Sequence, residues 1–355
     1  MKTGLPSDSS SCGTPRATSG RVGRSAGADE SSEGKSDGSP VFRPSVVFLG
    51  SGPVAAKCLE RLIKNFEVEA VVTKQKPAHH RGDFPVINLA EKLGLKVLLA
   101  NTKTELNEVF AAKPVTSKLG VVIDYGVIVS QAVIDYFPLG IINSHFSLLP
   151  EWRGADPITF SILSGQKMTG VSVMLISAGL DEGPLLALGE QPISEDDTTG
   201  TLTDKLILLS DALLKDALPK YISGESKGVS QEEVARLLGK PFSVTHSRKI
   251  KKEDGVLDFN KSAVELEREV RAYSEWPKSR TRLGEVDVIV TSARVMAHDG
   301  NDLGRKVGTI IISEDGTLSI QTSEGLFLIE KLKPAGKKDM SARDFLLGYG
   351  SRIKS

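Results

Sequence analysis

The sequence predicts an α/β protein with a doubly wound, mostly parallel sheet, followed by a small antiparallel β-barrel. From Ser45 onward, short apolar runs rich in β-branched residues alternate with helical segments through short connections, which is typical of parallel strand–helix units. From Arg248 onward, short alternating runs are separated by Gly and Asp, which is typical of antiparallel strands that close into a barrel.

The elements of the first half follow from this alternation. Ser45–Leu49 is a continuous apolar run and predicts a buried strand, and Pro53 suits the first position of a helix that reaches about Lys64. Further strands are predicted at Val68–Thr73, Lys96–Leu99, Leu119–Ile123, 139–145, Gly170–Ile176 and Leu185–Pro192. Further helices are predicted from Pro85, after Thr104 as N-cap, after Ser130 as N-cap, near 157–164 and at 200–222.

Composition divides the chain into four parts. Residues 1–44 are rich in Ser, Gly and Thr and poor in large apolar residues, so we expect a disordered tail. The catalytic domain is expected at 45–222, and 223–247 is interpreted as a connection with a short helix at Gln231–Leu238. Residues 248–355 contain a predicted helix at about 261–273 and the strands of the barrel.

Charge and cysteine content limit the class of protein. The 355 residues include 45 Lys and Arg and 45 Asp and Glu, so the chain is not expected to act mainly by coating nucleic acid, although a local basic face is compatible with this balance. Cys12 and Cys58 belong to no metal-binding pattern, which favours a reducing compartment and no structural zinc. We expect neither a membrane span nor a secretory signal, and the expected compartment is the cytoplasm.

A polar group is predicted where strand 139–145 ends. Asn143 and His145 are two residues apart, so their side chains point to the same face of the strand. Ligands bind at the carboxyl edge of parallel sheets. Asp181, flanked by Gly179 and Gly183, adds a carboxylate, and an amide, an imidazole and a carboxylate together suit acyl or formyl transfer.

The proposed chemistry assigns a role to each member of this trio. When an amine attacks a formyl carbon, Asn143 and protonated His145 would each donate a hydrogen bond to the developing oxyanion. Asp181 would orient His145, favour its charged form and take the proton that the amine loses. The alternative is that Asn143 and His145 are ordinary polar strand-end residues and that Asp181 is only a turn former.

Two neighbouring patterns also leave alternatives open. Ser147, Leu148, Leu149 and Pro150 could wall a flat heterocycle, or they could be core residues. The segment Gly50–Ala55 fits the dinucleotide-binding pattern, but no acidic residue follows the second strand, where Lys74 would have to accept the 2′-phosphate of NADP. Glycines of this kind also occur in first strand–helix turns for packing reasons alone.

At this point the sequence resembles the folate-dependent formyltransferases, and its second half resembles the branch of that family that acts on tRNA. The segments that carry the resemblance are INSHFSLLPEWRGADPI (141–158), TGVSVMLISAGLDEGPLL (169–186), TKQKPAHHRGDFPV (73–86), RKIKKEDGVLDFNKSAVELEREVRAYSEWP (248–277) and EKLKPAGKKDMSARDFLLGYG (330–350). Together they span nearly everything beyond the tail.

The resemblance implies a fold, substrates and site residues. The fold would be a Rossmann-like domain joined to an OB-like barrel, the donor 10-formyltetrahydrofolate, and the acceptor the α-amine of methionyl-initiator-tRNA. The catalytic trio would be Asn143, His145 and Asp181. The residues implied to bind folate are Ser147, Leu148, Leu149, Pro150, Asp124, Tyr125, Gly126 and Val127. The residues expected to contact tRNA are Lys74, Lys76, Arg81, Arg153, Lys249, Lys251, Lys252, Lys337 and Lys338. No metal is implied, and the family leans towards a monomer.

The sequence departs from the family pattern at three places. Asp156 and Asp124 stand where the family has alanine, and the basic loop 74–84 is shorter than in typical bacterial members. These departures keep open another acceptor, such as a small amine, a sugar nucleotide or water. An NADP-dependent oxidoreductase is the more remote alternative.

Overall fold

A computed structural model of the chain describes residues 43–76, 82–296 and 305–353. The predicted tail at 1–44 lies outside these residues except for its last two positions, and so does the predicted tRNA contact Arg81.

In the described part of the chain, seven strands form one sheet in the order β3-β2-β1-β4-β5-β7-β8. The strands are β1 (Ser45–Leu49), β2 (Glu67–Thr73), β3 (Lys96–Leu99), β4 (Gly120–Val122), β5 (Ile141–His145), β7 (Met168–Leu175) and β8 (Leu185–Pro192). Strands β1 to β5 pair in parallel, whereas β7 and β8 pair antiparallel at one side. The prediction of a mostly parallel sheet is confirmed.

Helices cover both faces of this sheet, so the fold is doubly wound. They are α1 (Pro53–Leu62), α2 (Pro85–Lys92), α3 (Lys103–Ala111), α4 (Gln131–Tyr136), α5 (Pro157–Leu163) and α6 (Thr199–Ile222). Alternate residues of β1 show how the two cores form: Val46 and Phe48 pack with α1, α2, α5 and α6, while Val47 and Leu49 pack with α3 and α4. Because both faces are buried, the strands are continuously apolar rather than alternating.

One predicted cap is wrong by half a turn. Helix α3 begins after Thr102, not Thr104, because the Thr102 hydroxyl accepts a hydrogen bond from Glu105 N at 3.2 Å. The Glu105 carboxylate in turn accepts from Asn101 N at 2.8 Å, so the two side chains satisfy free N–H groups at the helix start.

The second half forms an antiparallel sheet of short strands, in agreement with the predicted barrel. Its elements are α8 (Ala263–Ala272), β10 (Ser279–Leu283), β11 (Val286–Met296), β12 (Ile310–Ile312), β13 (Leu318–Gln321), β14 (Leu326–Pro334), β15 (Met340–Ser341) and α9 (Ala342–Ile353). Strand β10 and helix α9 were not predicted. The apolar faces of the strands pack with α8 and α9 in a core of their own.

Residues between the two halves contact the first domain closely. Helix α7 (Gln231–Leu237) is followed by the short strand β9 (His246–Ser247), which pairs in parallel with β6 (Arg153–Gly154). Ile250, Ala272 and Tyr273 belong to the core on the α1 face of the first sheet. The segment after α6 is therefore part of the structural support of the first domain.

No helix among the described residues is long and apolar enough to cross a membrane.

Candidate active site

Strand β5 brings Asn143 and His145 to one face of the sheet, as predicted from their spacing. The main chain of His145 lies opposite Ser172 of β7, and that of Asn143 lies between Val122 of β4 and Met174 of β7. His145 is 6% exposed, and Asn143 is half-buried. Within the residues that the structure describes, the Asn143 side chain makes no hydrogen bond, so its amide is available to a ligand.

The His145 ring lies between a carbonyl and a carboxylate. Nε2 is 2.9 Å from the carbonyl oxygen of Trp152, and because a carbonyl only accepts, Nε2 carries the proton of this bond. Nδ1 is 3.8 Å from Asp181 Oδ2, an ion-pair distance that is too long for a hydrogen bond. Both nitrogens therefore face acceptors, which suits the protonated imidazolium.

Asp181 reaches this ring from a loop whose backbone is fixed at several points. Its φ of 52° lies in the left-handed region, which an Asp tolerates better than most residues. Its Oδ2 accepts a hydrogen bond from Gly154 N at 2.7 Å. The side-chain amide of Gln231, at the first position of α7, donates to Asp181 O at 2.7 Å and to Gly183 O at 3.1 Å.

Arg153 supports the same loop from beneath. Predicted to contact tRNA, it is 8% exposed, and its guanidinium donates to Gln231 Oε1 at 2.8 Å and to Glu182 Oε1 at 3.1 Å. A guanidinium enclosed in this way is not free to meet an RNA surface. Its position fits a structural role in holding the Asp181 loop against α7.

The connecting segment also holds the loop that follows β5. The Thr245 hydroxyl accepts a hydrogen bond from Trp152 N at 2.9 Å, and Thr245 O accepts one from Arg153 N at 3.0 Å. The carbonyl that accepts from His145 therefore belongs to a residue that the connection fixes. Sequence reasoning missed Thr245 and Gln231, because both act through contacts distant in sequence.

The predicted folate-binding stretch after β5 is closely packed. The Ser172 hydroxyl donates to Ser147 O at 2.7 Å and accepts from Leu149 N at 2.9 Å. Leu149 packs with Met174 and Leu185, and a cis peptide bond joins it to Pro150. Ser147 and Pro150 are also buried, whereas Leu148 is half-buried and has apolar surface to offer a ligand.

The second predicted folate stretch, Asp124–Val127, follows β4 and lies against the turn before α1. The Ser51 hydroxyl donates to Tyr125 O at 2.9 Å, and the Tyr125 hydroxyl donates to Ala100 O at 2.9 Å. The ammonium group of Lys74 lies against Gly126, so Lys74 borders the same cleft.

Asp124 occupies the anion-binding position at the start of α1. A Cβ on Gly52 would lie 2.1 Å from Asp124 Oδ2, and Ala55 N–H donates to this carboxylate. Asp124 contacts solvent, but protein surrounds it in a concave site. This desolvation, followed by repulsion from Asp156, raises its pKa to about 6, although Lys74 opposes the shift. The dinucleotide reading of Gly50–Ala55 loses its pyrophosphate site, since the protein's own carboxylate fills it.

Asp156 serves the junction between the two halves of the chain. Its Oδ2 accepts a hydrogen bond from Ile250 N at 2.9 Å. The departure at this position therefore connects the loop before α5 to the first residues of the second domain, which gives this carboxylate a structural partner.

The remaining predicted tRNA contacts are surface residues. Lys76, Lys249, Lys251, Lys252, Lys337 and Lys338 are exposed. Lys76 lies 5.5 Å from the centre of the Phe84 ring, in a cation–π contact. Among the described residues, no group of three or more His, Cys, Asp or Glu side chains is placed to hold a metal ion.

Comparison with known families supports this organisation. The family model described as formyl transferase matches residues 44–218, and the model described as formyl transferase, C-terminal domain, matches residues 249–350. Among solved structures, HypX from Aquifex aeolicus is similar at a TM-score of 0.58 and 15% identity, over 88% of this chain and 49% of that one. An N-formyltransferase from Helicobacter canadensis is similar at 0.59 and 18% identity, over 81% and 98%. These two likenesses show the fold.

Curated relatives are more similar in sequence. A methionyl-tRNA formyltransferase from Roseiflexus castenholzii is 34% identical over 309 residues, which are 85% of this chain and 95% of the relative. One from Myxococcus xanthus is 35% identical over 313 residues, 87% of this chain and 96% of the relative. The chain therefore belongs to the formyl transferase family, within its methionyl-tRNA formyltransferase branch.

Proposed function

We propose that this protein transfers a formyl group from 10-formyltetrahydrofolate to the α-amine of methionyl-initiator-tRNA. The relatives that bear this activity in their names support the choice of reaction and acceptor. The observation that carries the proposal is the convergence of strand β5 and the 176–184 loop, which puts the Asp181 carboxylate 3.8 Å from the His145 ring beside the free amide of Asn143.

Asn143 and His145 stabilise the oxyanion that forms when the amine attacks the formyl carbon. The Trp152 carbonyl already holds the Nε2 proton of His145, so Nδ1–H is the donor that His145 offers. The Asp181 carboxylate stabilises the protonated ring that this donation needs. Each such donor is worth roughly 10²–10³ in rate.

Asp181 also removes the proton that the attacking nitrogen must lose. Its Oδ2 is held by Gly154 N–H, while Oδ1 makes no hydrogen bond within the described parts of the chain and is left to accept the proton, directly or through water. The acceptor amine lies next to an ester, so it loses a proton more easily than an ordinary amine and is partly neutral near pH 7.

The folate donor, which supplies the activated formyl group, is assigned to the cleft between the two loops that follow β4 and β5. Leu148 offers apolar surface there, and backbone groups of Asp124–Val127 offer hydrogen bonds. In this assignment Ser147, Leu149 and Pro150 shape the loop from within, because they are buried.

The acceptor tRNA is assigned to both domains. The exposed lysines of the 74–76, 249–252 and 337–338 segments supply phosphate contacts, whereas Arg153 is reassigned to positioning the Asp181 loop. We keep 45–222 as the catalytic domain, 223–247 as the connection and 248–355 as the tRNA-binding domain. Binding through lysine–phosphate contacts weakens as salt rises, and a tRNA affinity independent of salt would contradict this assignment.

The other acceptors lose their motivation. Asp156 is used by Ile250 N, so its presence does not indicate a contact with a small amine, and the anion position at α1 is filled by Asp124. No observation favours an oxidoreductase.

Formylation of charged tRNA tests the proposal directly. The full-length protein is incubated with 10-formyltetrahydrofolate and methionyl-initiator-tRNA, and formyl-methionine is measured after ester hydrolysis. We expect product that depends on both substrates. Failure to form it at every pH from 6 to 9, while a small amine or a sugar nucleotide is formylated, would overturn the choice of acceptor.

We further propose that the protein acts as a monomer in the cytoplasm, without membrane attachment. Light scattering at micromolar concentration with and without tRNA is expected to give the mass of one chain and of a one-to-one complex. A dimer mass in both samples would contradict this.

A further inference from the structure

A groove lies where the first domain meets the second, outside the candidate active site. Its walls are the turn between α5 and β7, the start of the segment after β8, and residues of α8 and β11. The groove has a volume of about 250 Å³. Its polar lining includes Gln166, Lys167, Arg268, Arg271 and Arg294.

Most cations of the groove already have acidic partners. Arg271 pairs with Glu267 at 2.5 Å, and both side chains are largely buried. Lys167 lies 3.6 Å from Glu195, with both side chains exposed. Arg294, also exposed, lies between Asp196 at 3.3 Å and Glu330 at 3.4 Å.

Arg268 differs from these cations. Across the described segments of the chain, its guanidinium forms neither a hydrogen bond nor an ion pair, although the residue is half-buried. The group rests on Gly165, where a Cβ would lie 2.1 Å from Arg268 Cζ. A fixed guanidinium with five N–H donors and no acceptor is suited to receive an anion, and its planar fork matches phosphate oxygens.

The groove is connected to the catalytic residues through Trp152. Gln166 accepts a hydrogen bond from Trp152 Nε1 at 2.7 Å and donates one to Glu151 Oε2 at 2.6 Å. The Trp152 carbonyl accepts from His145 Nε2. A ligand that orders the α5–β7 turn therefore orders the segment that holds the catalytic imidazole.

We propose that this groove binds a backbone phosphate of the acceptor RNA, with Arg268 as its central contact. This inference rests on the proposed function, because it takes the acceptor to be a polynucleotide. The occupant follows from charge and placement: the groove has one uncommitted guanidinium, and it is formed by both domains, so a long polyanion that lies across them passes it.

Direct binding separates this proposal from the proposed activity. The affinity of the full-length protein for uncharged initiator tRNA is measured over a range of KCl concentrations without folate, so that no turnover is needed. For Arg268→Gln we expect about a three- to tenfold weaker affinity near 100 mM KCl and a plot of log affinity against log salt that is shallower by about one. Arg268→Lys keeps the charge but not the fork, and it should recover part of the affinity.

The matched control is Arg61→Gln, which also removes one partly exposed arginine charge. Arg61 lies on α1 at 3.7 Å from Asp211 of α6, on the far side of the first domain from the groove. We expect its affinity and salt slope to equal those of the unmodified protein. Thermal unfolding of all variants checks that each one is folded. Equal affinity and slope in Arg268→Gln and Arg61→Gln would overturn the proposal.

Inorganic phosphate distinguishes a free anion from RNA as the occupant. If the groove serves RNA, phosphate at constant ionic strength competes with tRNA weakly, and equally in the unmodified protein and Arg268→Gln. Tight phosphate binding that is lost in Arg268→Gln while tRNA affinity is unchanged would reassign the groove to a free anion. If tRNA binds through Arg268 but is not formylated, the proposed function fails and the groove assignment stands.

Discussion

The strand and the loop that build the candidate active site reach it in different ways. On strand β5, Asn143 and His145 share a face because residues two apart on a strand always do. The Asp181 loop instead depends on Gly154, Gln231 and, indirectly, Arg153, which come from three other places in the sequence. The comparison shows that one half of the site is determined by local geometry and the other by packing.

Substitutions on the strand should remove most of the activity and leave the fold intact. For Asn143→Ala and His145→Ala we expect turnover to fall by roughly 10²–10³, because each loses one donor to the oxyanion. Neither side chain supports the core, so thermal stability and folate binding should change little. Single-turnover formylation measures the loss, and turnover near that of the unmodified protein in either variant would remove that residue from the mechanism.

Substitution in the loop should cost less than loss of a strand donor but remain large. For Asp181→Ala we expect well over a tenfold loss of turnover with folate binding retained, since both the orientation of His145 and the proton acceptor are lost. Asp181→Asn keeps the hydrogen bond from Gly154 N through its amide oxygen but not the negative charge. Full turnover in Asp181→Asn would show that the charge has no role.

The support of the loop offers the sharpest test of the comparison. Gln231→Leu removes the hydrogen bonds to Asp181 O and Gly183 O and leaves Arg153 with one acceptor fewer. We expect about a tenfold loss of turnover, with KM for folate changed less, because the missing bonds position the loop and do not touch the substrate. Gln231→Glu, which keeps an acceptor for Arg153, should be less affected.

Helix α4 supplies a matched control for this variant. Gln131 is also the first residue of a helix after a serine N-cap, but it is exposed and contacts only Asp135. Gln131→Leu should leave turnover unchanged. If the two leucine variants behave alike, the effect belongs to helix starts in general and not to the Asp181 loop.

The smallest expected effect concerns the pH dependence of stability at Asp124. Its pKa is raised from 3.8 to about 6 in the folded protein, so the folded state holds this proton more tightly than the unfolded state does. The stability that Asp124 contributes is present below pH 3.8 and is lost as pH rises through about 6. Asp124→Asn does not titrate there, so its melting temperature relative to the unmodified protein should increase between pH 4 and pH 7.

The Asp124 effect will be small because the carboxylate contacts solvent. Asp135→Asn, at an exposed position on α4, is the control, and its relative melting temperature should stay constant. A relative change between pH 4 and pH 7 that is equal in both variants, or opposite in sign for Asp124→Asn, would contradict the assignment of the raised pKa to the cleft.

The elements of the first domain were predictable because their signals are local. Ser45–Leu49 is apolar at every position after the first, Pro53 opens α1, and Ser130 caps α4 through Val133 N. The errors also have local causes: two threonines precede α3, and the one whose hydroxyl reaches Glu105 N is the cap. Strand β10, in contrast, is rich in arginine, and its sequence does not look like a strand apart from its partner β11.

Residue types and their spacing along the chain determined the doubly wound sheet, the antiparallel second domain and the shared face of Asn143 and His145. Only the tertiary structure decided that Arg153 lies under the Asp181 loop, that Asp124 fills the turn before α1, and that Asp156 connects the two domains. A hydrogen bond between residues far apart in sequence leaves no periodic signal, because its partner is chosen by how the elements pack.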